Sequence, residues 1–291
     1  MSATSATMRR SQLVTPANSV HMIEKALALD CDSLVIDLED AVAPSAKNDA
    51  RENLRHALGG ASSHAKEIGV RINGVDSAWF LDDMLALKAL PIDTVIVPKV
   101  QRPADVVAVE IVLRQLELHG GPLGVTLQVL IETARGLEAV SDIVRASPRC
   151  VSVIFGAGDF SADARVAFNT RGLVYARSRI ATAAAAAGVD ALDHVHPAIH
   201  EDEVLAAQAA EARDLGFTGK WAIHPRQVPV INAAFTPSDE EIAEARRVVS
   251  AYEEAVGAGR GAIMVHGTLV DEAMLKIMQR RAGIARRLGL W

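Results

Sequence analysis

The chain has 291 residues, half of them hydrophobic, enough length and apolar content for a large buried core. A net charge of −6, from 30 basic and 36 acidic side chains, leaves no basic footprint and excludes nucleic acid as the main partner. Two cysteines make neither a disulfide framework nor a metal-ligand spacing, and no apolar run reaches the roughly 18 residues of a membrane span, so a cytoplasmic protein without a membrane partner is expected.

Eight short apolar runs follow one another, at 12–15, 33–38, 68–72, 94–97, 126–131, 151–155, 191–195 and 220–223. Segments with apolar residues three and four apart lie between them, at 20–29, 50–58, 80–90, 106–118, 136–146 and 175–187. Strand and helix thus alternate, and a (β/α)8 TIM barrel is the economical α/β solution because closure leaves no sheet edge. A doubly wound open sheet has less support, since no G-x-G-x-x-G follows the first run.

The runs end in polar residues: Asp37, Glu39 and Asp40; Arg71 and Asn73; Lys99; Glu132; Asp159; Asp193 and His194; His224. In a barrel these ends meet at the C-terminal mouth, where such folds hold their active sites. Glu132 and Asp159 close successive runs separated by one helical segment, so they share a rim. Two carboxylates so placed suit Mg²⁺, which takes one or two carboxylates and leaves its other positions to water or substrate. The competing reading is that both acids cap the helices that follow them.

Residues 1–235 read as the barrel and 236–291 as a helical arm. Ser238 and Glu241 form an S-x-x-E capping box, a long helix runs to about residue 256, a Gly-rich turn occupies 257–261, and Asp271 precedes a basic helix over 272–288. Such an arm is expected to cover a barrel mouth, its own or a neighbouring subunit's.

Several of these stretches together resemble the citrate lyase beta-subunit-like family, in the superfamily of malyl-CoA and citramalyl-CoA lyases and class II 2-keto-3-deoxy-acid aldolases. The matching stretches are Arg10-Ser11, Met22 to Ala26, Asp37-Leu38-Glu39-Asp40-Ala41-Val42-Ala43-Pro44, Arg71-Ile72-Asn73, Val97-Pro98-Lys99, Ile131 to Gly136, Gly156-Ala157-Gly158-Asp159, Gly219 to Pro225, and Val270-Asp271. The resemblance implies a (β/α)8 barrel, Mg²⁺ held by Glu132 and Asp159, Arg71 on a substrate carboxylate, and carbon–carbon bond chemistry between a short 2-oxo acid and an acyl-CoA. It also implies that Asp271 acts as acid/base in an adjacent subunit, within a homotrimer or a multiple of it. Departures fall at Pro16-Ala17, at Val20-His21 and at Asp193 to Pro197, all in loops at the mouth.

On this reading Arg71 suits a carboxylate because its guanidinium is permanently charged and can bind two oxygens at once. Its competing role is structural pairing with Asp37, Glu39 or Asp40. Glu39 and Asp40 are expected to orient Arg71 or metal-bound water, His224 to stand behind them, and Arg10 and Lys99 to contact substrate or CoA phosphates, unless they form internal ion pairs. Asp271 has a competing role as a helix N-cap. Two alternatives stay open: an aldolase on free 4-hydroxy-2-oxo acids, with His21 near the position of its base, and a citryl-lyase subunit active only inside a multi-subunit citrate lyase.

Overall fold

The computed structural model describes residues 7–59, 66–88, 90–121, 123–257 and 261–291. Eight parallel strands, in sequence order, close into a barrel: β1 (Ser11–Pro16), β2 (Ser33–Asp37), β3 (Glu67–Arg71), β4 (Thr94–Val97), β5 (Thr126–Ile131), β6 (Cys150–Phe155), β7 (Asp190–Asp193) and β8 (Gly219–Ala222). Closure is completed by β8 against β1, with Gln12 beside Trp221. The helices that return the chain are α1 (Val20–Leu27), α2 (Lys47–Leu58), α3 (Phe80–Leu87), α4 (Pro103–Gly120), α5 (Ala134–Ile143), α6 (Ala157–Ala164), α7 (Thr170–Ala187), α8 (Asp202–Leu215) and α9 (Gln227–Phe235). The expected TIM barrel is therefore present. None of the described helices is long and apolar enough to cross a membrane.

Alternation along each strand sorts side chains between two cores. Those facing outward join the helices in a cluster that includes Leu34, Ile36, Ile68, Val70, Leu127, Val129 and Val153. Inside the barrel, Val35, Ile96, Leu130, Ile154, Leu192 and Trp221 form a separate apolar layer. Below it, toward the N-terminal ends of the strands, lies a polar layer. Gln12 donates to Ser33 Oγ (3.0 Å) and Gln128 Oε1 (3.1 Å), Ser152 donates to Gln128 Oε1 (2.8 Å), and Trp221 donates to Gln12. Glu67 accepts from Ser33 (2.9 Å) and from Arg9 Nε (2.8 Å), and Arg9 also reaches Asp190 at 2.8 Å. Ser33-x-Val35-x-Asp37, Glu67-x-Gly69-x-Arg71 and Gln128-x-Leu130-x-Glu132 each run from this polar floor through the apolar layer to the charged mouth.

Two expected mouth residues lie elsewhere. Asp193 faces outward from β7 and is fully buried against Lys220 (2.7 Å) and Arg177 (3.1 Å), between the barrel wall and α7. Its neighbours hold it ionised well below the usual carboxylate range, at about 2, against the cost of burial. Arg10 precedes β1, so it belongs to the floor end, where it pairs with Asp32 at 2.7 Å. A strand's first residues cannot reach the rim its last residues form, and the expected substrate role of Arg10 is withdrawn on that ground.

The second unit, 236–291, has a core of its own. It contains α10 (Asp239–Gly257), an antiparallel hairpin of β9 (Ile263–Val265) and β10 (Thr268–Val270), and α11 (Glu272–Arg287). The capping box forms as its spacing predicts: Glu241 N–H donates to Ser238 Oγ (3.2 Å) and Ser238 N–H donates to Glu241 Oε2 (2.9 Å). Val248, Tyr252, Val270 and Met278 pack together, and Trp291 lies between the guanidinium groups of Arg246 and Arg286. The hairpin was not expected, although its signal was available: His266 and Gly267, both at positive φ (47° and 82°), suit a two-residue hairpin turn. Most of the expected Gly-rich turn, 258–260, lies outside the described residues.

Candidate active site

The C-terminal ends of β2, β3, β4 and β5 deliver one continuous charged cluster. Asp37, the last residue of β2, receives Arg71 Nε (2.7 Å) and Nη2 (2.6 Å) from the end of β3. Its oxygens also accept the backbone N–H groups of Glu39 (2.8 Å) and Ala41 (3.2 Å), so one buried carboxylate shapes the loop and aims the arginine. Arg71 Nη1 faces Glu39 at 3.0 Å. Although burial alone would lower the Arg71 pKa, Asp37 and Glu39 raise it, and each terminal nitrogen keeps an N–H for a further acceptor. Its guanidinium stacks over Trp221 of the inner layer, 5.6 Å from the ring centre.

Lys99 follows β4 in a left-handed backbone conformation, φ 52°. This turns its N–H onto Glu132 Oε1 (2.6 Å) while its ammonium bridges Glu39 (2.8 Å) and Asp40 (3.0 Å). The internal pairing anticipated as the alternative for Lys99 is thus realised, with the side chain still 43% exposed. Of the three acids expected to pair with or orient Arg71, Asp37 and Glu39 contact it, whereas Asp40 contacts Lys99 instead.

Glu132, one residue beyond β5, is 2% exposed. Gly156 makes room for it: a Cβ there would lie 2.8 Å from Glu132 Oε2 and 2.6 Å from its Cβ. Thr133 then caps α5, accepting from Gly136 N–H at 3.0 Å, so the chain turns away directly behind the carboxylate. Asp159 is not at the end of β6 but in the first turn of α6, exposed, and near enough for its charge to act on Glu132. Burial first, then Glu39 and Asp159, push the Glu132 carboxyl up to about 8, against the Lys99 amide and Arg71. Burial likewise raises the Glu39 pKa, against its ion pairs with Arg71 at 3.0 Å and Lys99 at 2.8 Å.

Acid is in surplus here: Asp37, Glu39, Asp40, Glu132 and Asp159 face Arg71 and Lys99. A buried carboxylate with one hydrogen bond, a second acid beside it and a raised pKa fits a hard divalent cation. No group of three or more His, Cys, Asp or Glu that could hold a metal occurs among the described residues; Mg²⁺ commonly takes only one or two carboxylates and leaves the rest of its shell to water or ligand.

Other expected residues stand apart. His224 is half-buried and its Nδ1 accepts the Arg226 N–H (3.2 Å); among the described residues no recorded bond joins it to the acids. His21 lies exposed on α1. His194 is held neutral, its pKa lowered by burial to about 4, between Phe155 and Phe168. Asp271 is exposed and caps α11, accepting from Met274 N–H at 3.0 Å, as its competing role predicts. Beside the cluster, a cavity of about 360 Å³ is lined by Glu39, Asp40, Lys47, Ser77, Trp79 and Lys99, among others.

The chain is 36% identical to the L-malyl-CoA/beta-methylmalyl-CoA lyase of Cereibacter sphaeroides, over 92% of this chain and 91% of that one. It is 34% identical to the citrate lyase subunit beta of Leuconostoc mesenteroides subsp. cremoris, over 94% and 92%. Among solved structures, CitE of Mycobacterium tuberculosis in complex with magnesium, acetoacetate and coenzyme A superposes with a TM-score of 0.78 at 31% identity, covering 98% of this chain and 99% of that one. Residues 10–225 match the family described as HpcH/HpaI aldolase/citrate lyase, and the chain belongs to that family.

Proposed function

We propose that this protein is a Mg²⁺-dependent carbon–carbon lyase that cleaves, or in reverse condenses, a short 3-hydroxyacyl-CoA such as malyl-CoA or citramalyl-CoA, giving an acyl-CoA and a 2-oxo acid. The observation that carries this reading is the buried, proton-hungry Glu132 beside Asp159 at a mouth that also presents Arg71. Glu132 and Asp159 hold the cation, which supplies positive charge to polarise the oxygens of the 2-oxo acid portion. Arg71, aimed by Asp37, binds the substrate carboxylate through its uncommitted N–H groups. Lys99 fixes Glu132 by its amide and partly neutralises Glu39 and Asp40.

In cleavage the 3-hydroxyl gives its proton to a base, the carbon–carbon bond breaks as the carbonyl of the 2-oxo acid forms, and the bonding electrons pass to the thioester enolate. The enolate carbon then takes a proton, completing the acyl-CoA. We assign these transfers to Asp271 of a neighbouring copy within a homotrimer or a multiple of it; its exposed carboxylate has an oxygen to spare beyond its capping bond. The two free buried cysteines support a reducing, cytoplasmic setting.

The test is the purified chain with Mg²⁺ and a panel of short 3-hydroxyacyl-CoAs. Acyl-CoA and 2-oxo acid are expected, abolished by chelator and restored by Mg²⁺. Turnover of free 4-hydroxy-2-oxo acids alone selects the aldolase reading, and no turnover without partner subunits selects the citryl-lyase subunit. Mixing Asp271→Asn with Glu132→Gln, each inactive, regains activity if Asp271 serves a neighbour's site and stays dead otherwise.

A further inference from the structure

Lys47 is the first residue of α2, next to the positive end of the helix dipole, where a cation is disfavoured, and it is 5% exposed. Burial lowers its pKa, partly offset by Asp37, Asp83, Glu39 and Asp40. Neither helix stability nor solvation accounts for an ammonium there. Its contacts do: Nζ donates to Leu38 O, Glu39 O and Asn73 Oδ1, each at 2.7 Å, which uses all three of its protons.

Those acceptors belong to the two loops that carry the charged cluster. Leu38 and Glu39 follow Asp37, and Asn73 follows Arg71 by two residues. Asn73 Nδ2 donates in turn to Leu38 O (3.0 Å) and Asp83 Oδ2 (2.6 Å), and Asp83 is held by Arg51 at 2.8 Å. A chain of buried bonds therefore runs from α2 and α3 through Asn73 and Lys47 to the carbonyls on either side of the Glu39 α-carbon. Trp79 covers the ammonium, 5.2 Å from Nζ to the ring centre, on the wall of the neighbouring cavity. With both carbonyls pinned, the Glu39 side chain has little choice but to face Arg71 and Lys99.

We propose that Lys47 is a positioning residue: by clamping the Leu38 and Glu39 carbonyls to Asn73 it fixes the direction of Glu39, and through Glu39 the placement of Arg71 and Lys99 over the reacting centre. It touches neither substrate nor metal, and the inference rests on the lyase reading for its kinetic consequence.

The experiment compares the full-length protein with Lys47→Met and, in case that variant does not fold, Lys47→Gln, at a temperature well below each Tm. The expected result is a kcat reduced roughly hundredfold, the size of effect that a misplacement of about 1 Å brings. The Mg²⁺ midpoint, read from thermal shift, is expected to stay within about threefold, because Glu132 and Asp159 are untouched. Amide exchange of Glu39, Ala41 and Val42 is expected to quicken about tenfold or more while β5 stays protected. Lys47→Arg, which keeps the charge and can meet some of the three acceptors, restores part of kcat. A folded variant with kcat near wild type overturns the proposal. If the wild type itself turns over no thioester, the lyase reading fails and the exchange data decide alone: unchanged exchange at 39–42 then overturns it.

Discussion

The two ends of the barrel are both polar and differ in how their charges balance. At the floor, Arg9 meets Glu67 and Asp190, while Gln12, Ser33, Gln128, Ser152 and Trp221 close hydrogen bonds on one another. At the mouth, five acids face Arg71 and Lys99, and burial with the neighbouring acids pushes Glu132 up to about 8. The floor is satisfied by the chain alone, whereas the mouth is left for something from outside to satisfy. Polar burial of the first kind contributes to stability; the second kind opposes it and marks function.

The largest effect is expected from Glu132→Gln, which removes the surplus charge at its centre. Activity should fall by about 10³ or more, while the metal-free protein melts higher than wild type at about pH 8, because a buried carboxylate has become neutral. A lower Tm would mean that Glu132 belongs to a satisfied network like the floor's. The converse change, Glu67→Leu, strands Arg9 against Asp190 alone and should cost about 3 kcal/mol or more in denaturant unfolding, with kcat per folded molecule preserved.

The pH dependence sharpens the contrast. The folded Glu132 carboxyl titrates near 8, above its unfolded value of about 4.3, so the native chain holds the extra proton and metal-free stability is lost as pH rises between these values. Mg²⁺ competes with that proton, and its stabilisation should be larger at about pH 8.5 than at about pH 6 by differential scanning fluorimetry. A Mg²⁺ shift independent of pH would remove Glu132 as the ligand. Gly156→Ala, which crowds Glu132 Oε2, should weaken Mg²⁺ roughly tenfold. The smallest effect belongs to Arg10→Ala: its part-exposed pair with Asp32 is worth about 1 kcal/mol or less, and kcat/KM should stay within about twofold.

Much of this was legible in the amino-acid order. Eight apolar runs placed the strands almost residue for residue, because a strand buried on both faces must be apolar throughout. Glu132 stands where its run stops, one residue beyond β5, whereas Asp159 lies four residues past β6 in the first turn of α6. Which way a residue faces was harder to read, since a run apolar on both faces hides its phase. Asp193 was therefore expected at the mouth although it lies outside the wall with Lys220, and Asp37 was offered only as one of three acids that could pair with Arg71. The polar floor had a usable signal in Glu67-x-Gly69-x-Arg71, whose two charged ends share one face of β3. Lys47 gave none: its reason for being there is a set of carbonyl oxygens, and backbone carries no letter in a sequence.

Lys99 holds one acid with its main chain and two with its side chain, across a φ of 52° that costs a non-glycine residue about 1 kcal/mol or more. It thus ties two loops through one residue: the chain after β4 that holds Glu132 is the same chain whose ammonium holds Glu39 and Asp40 after β2. Lys99→Gly, which relaxes the backbone and cuts the tie to Glu39 and Asp40 but keeps the amide on Glu132, should leave Mg²⁺ binding by thermal shift within about threefold.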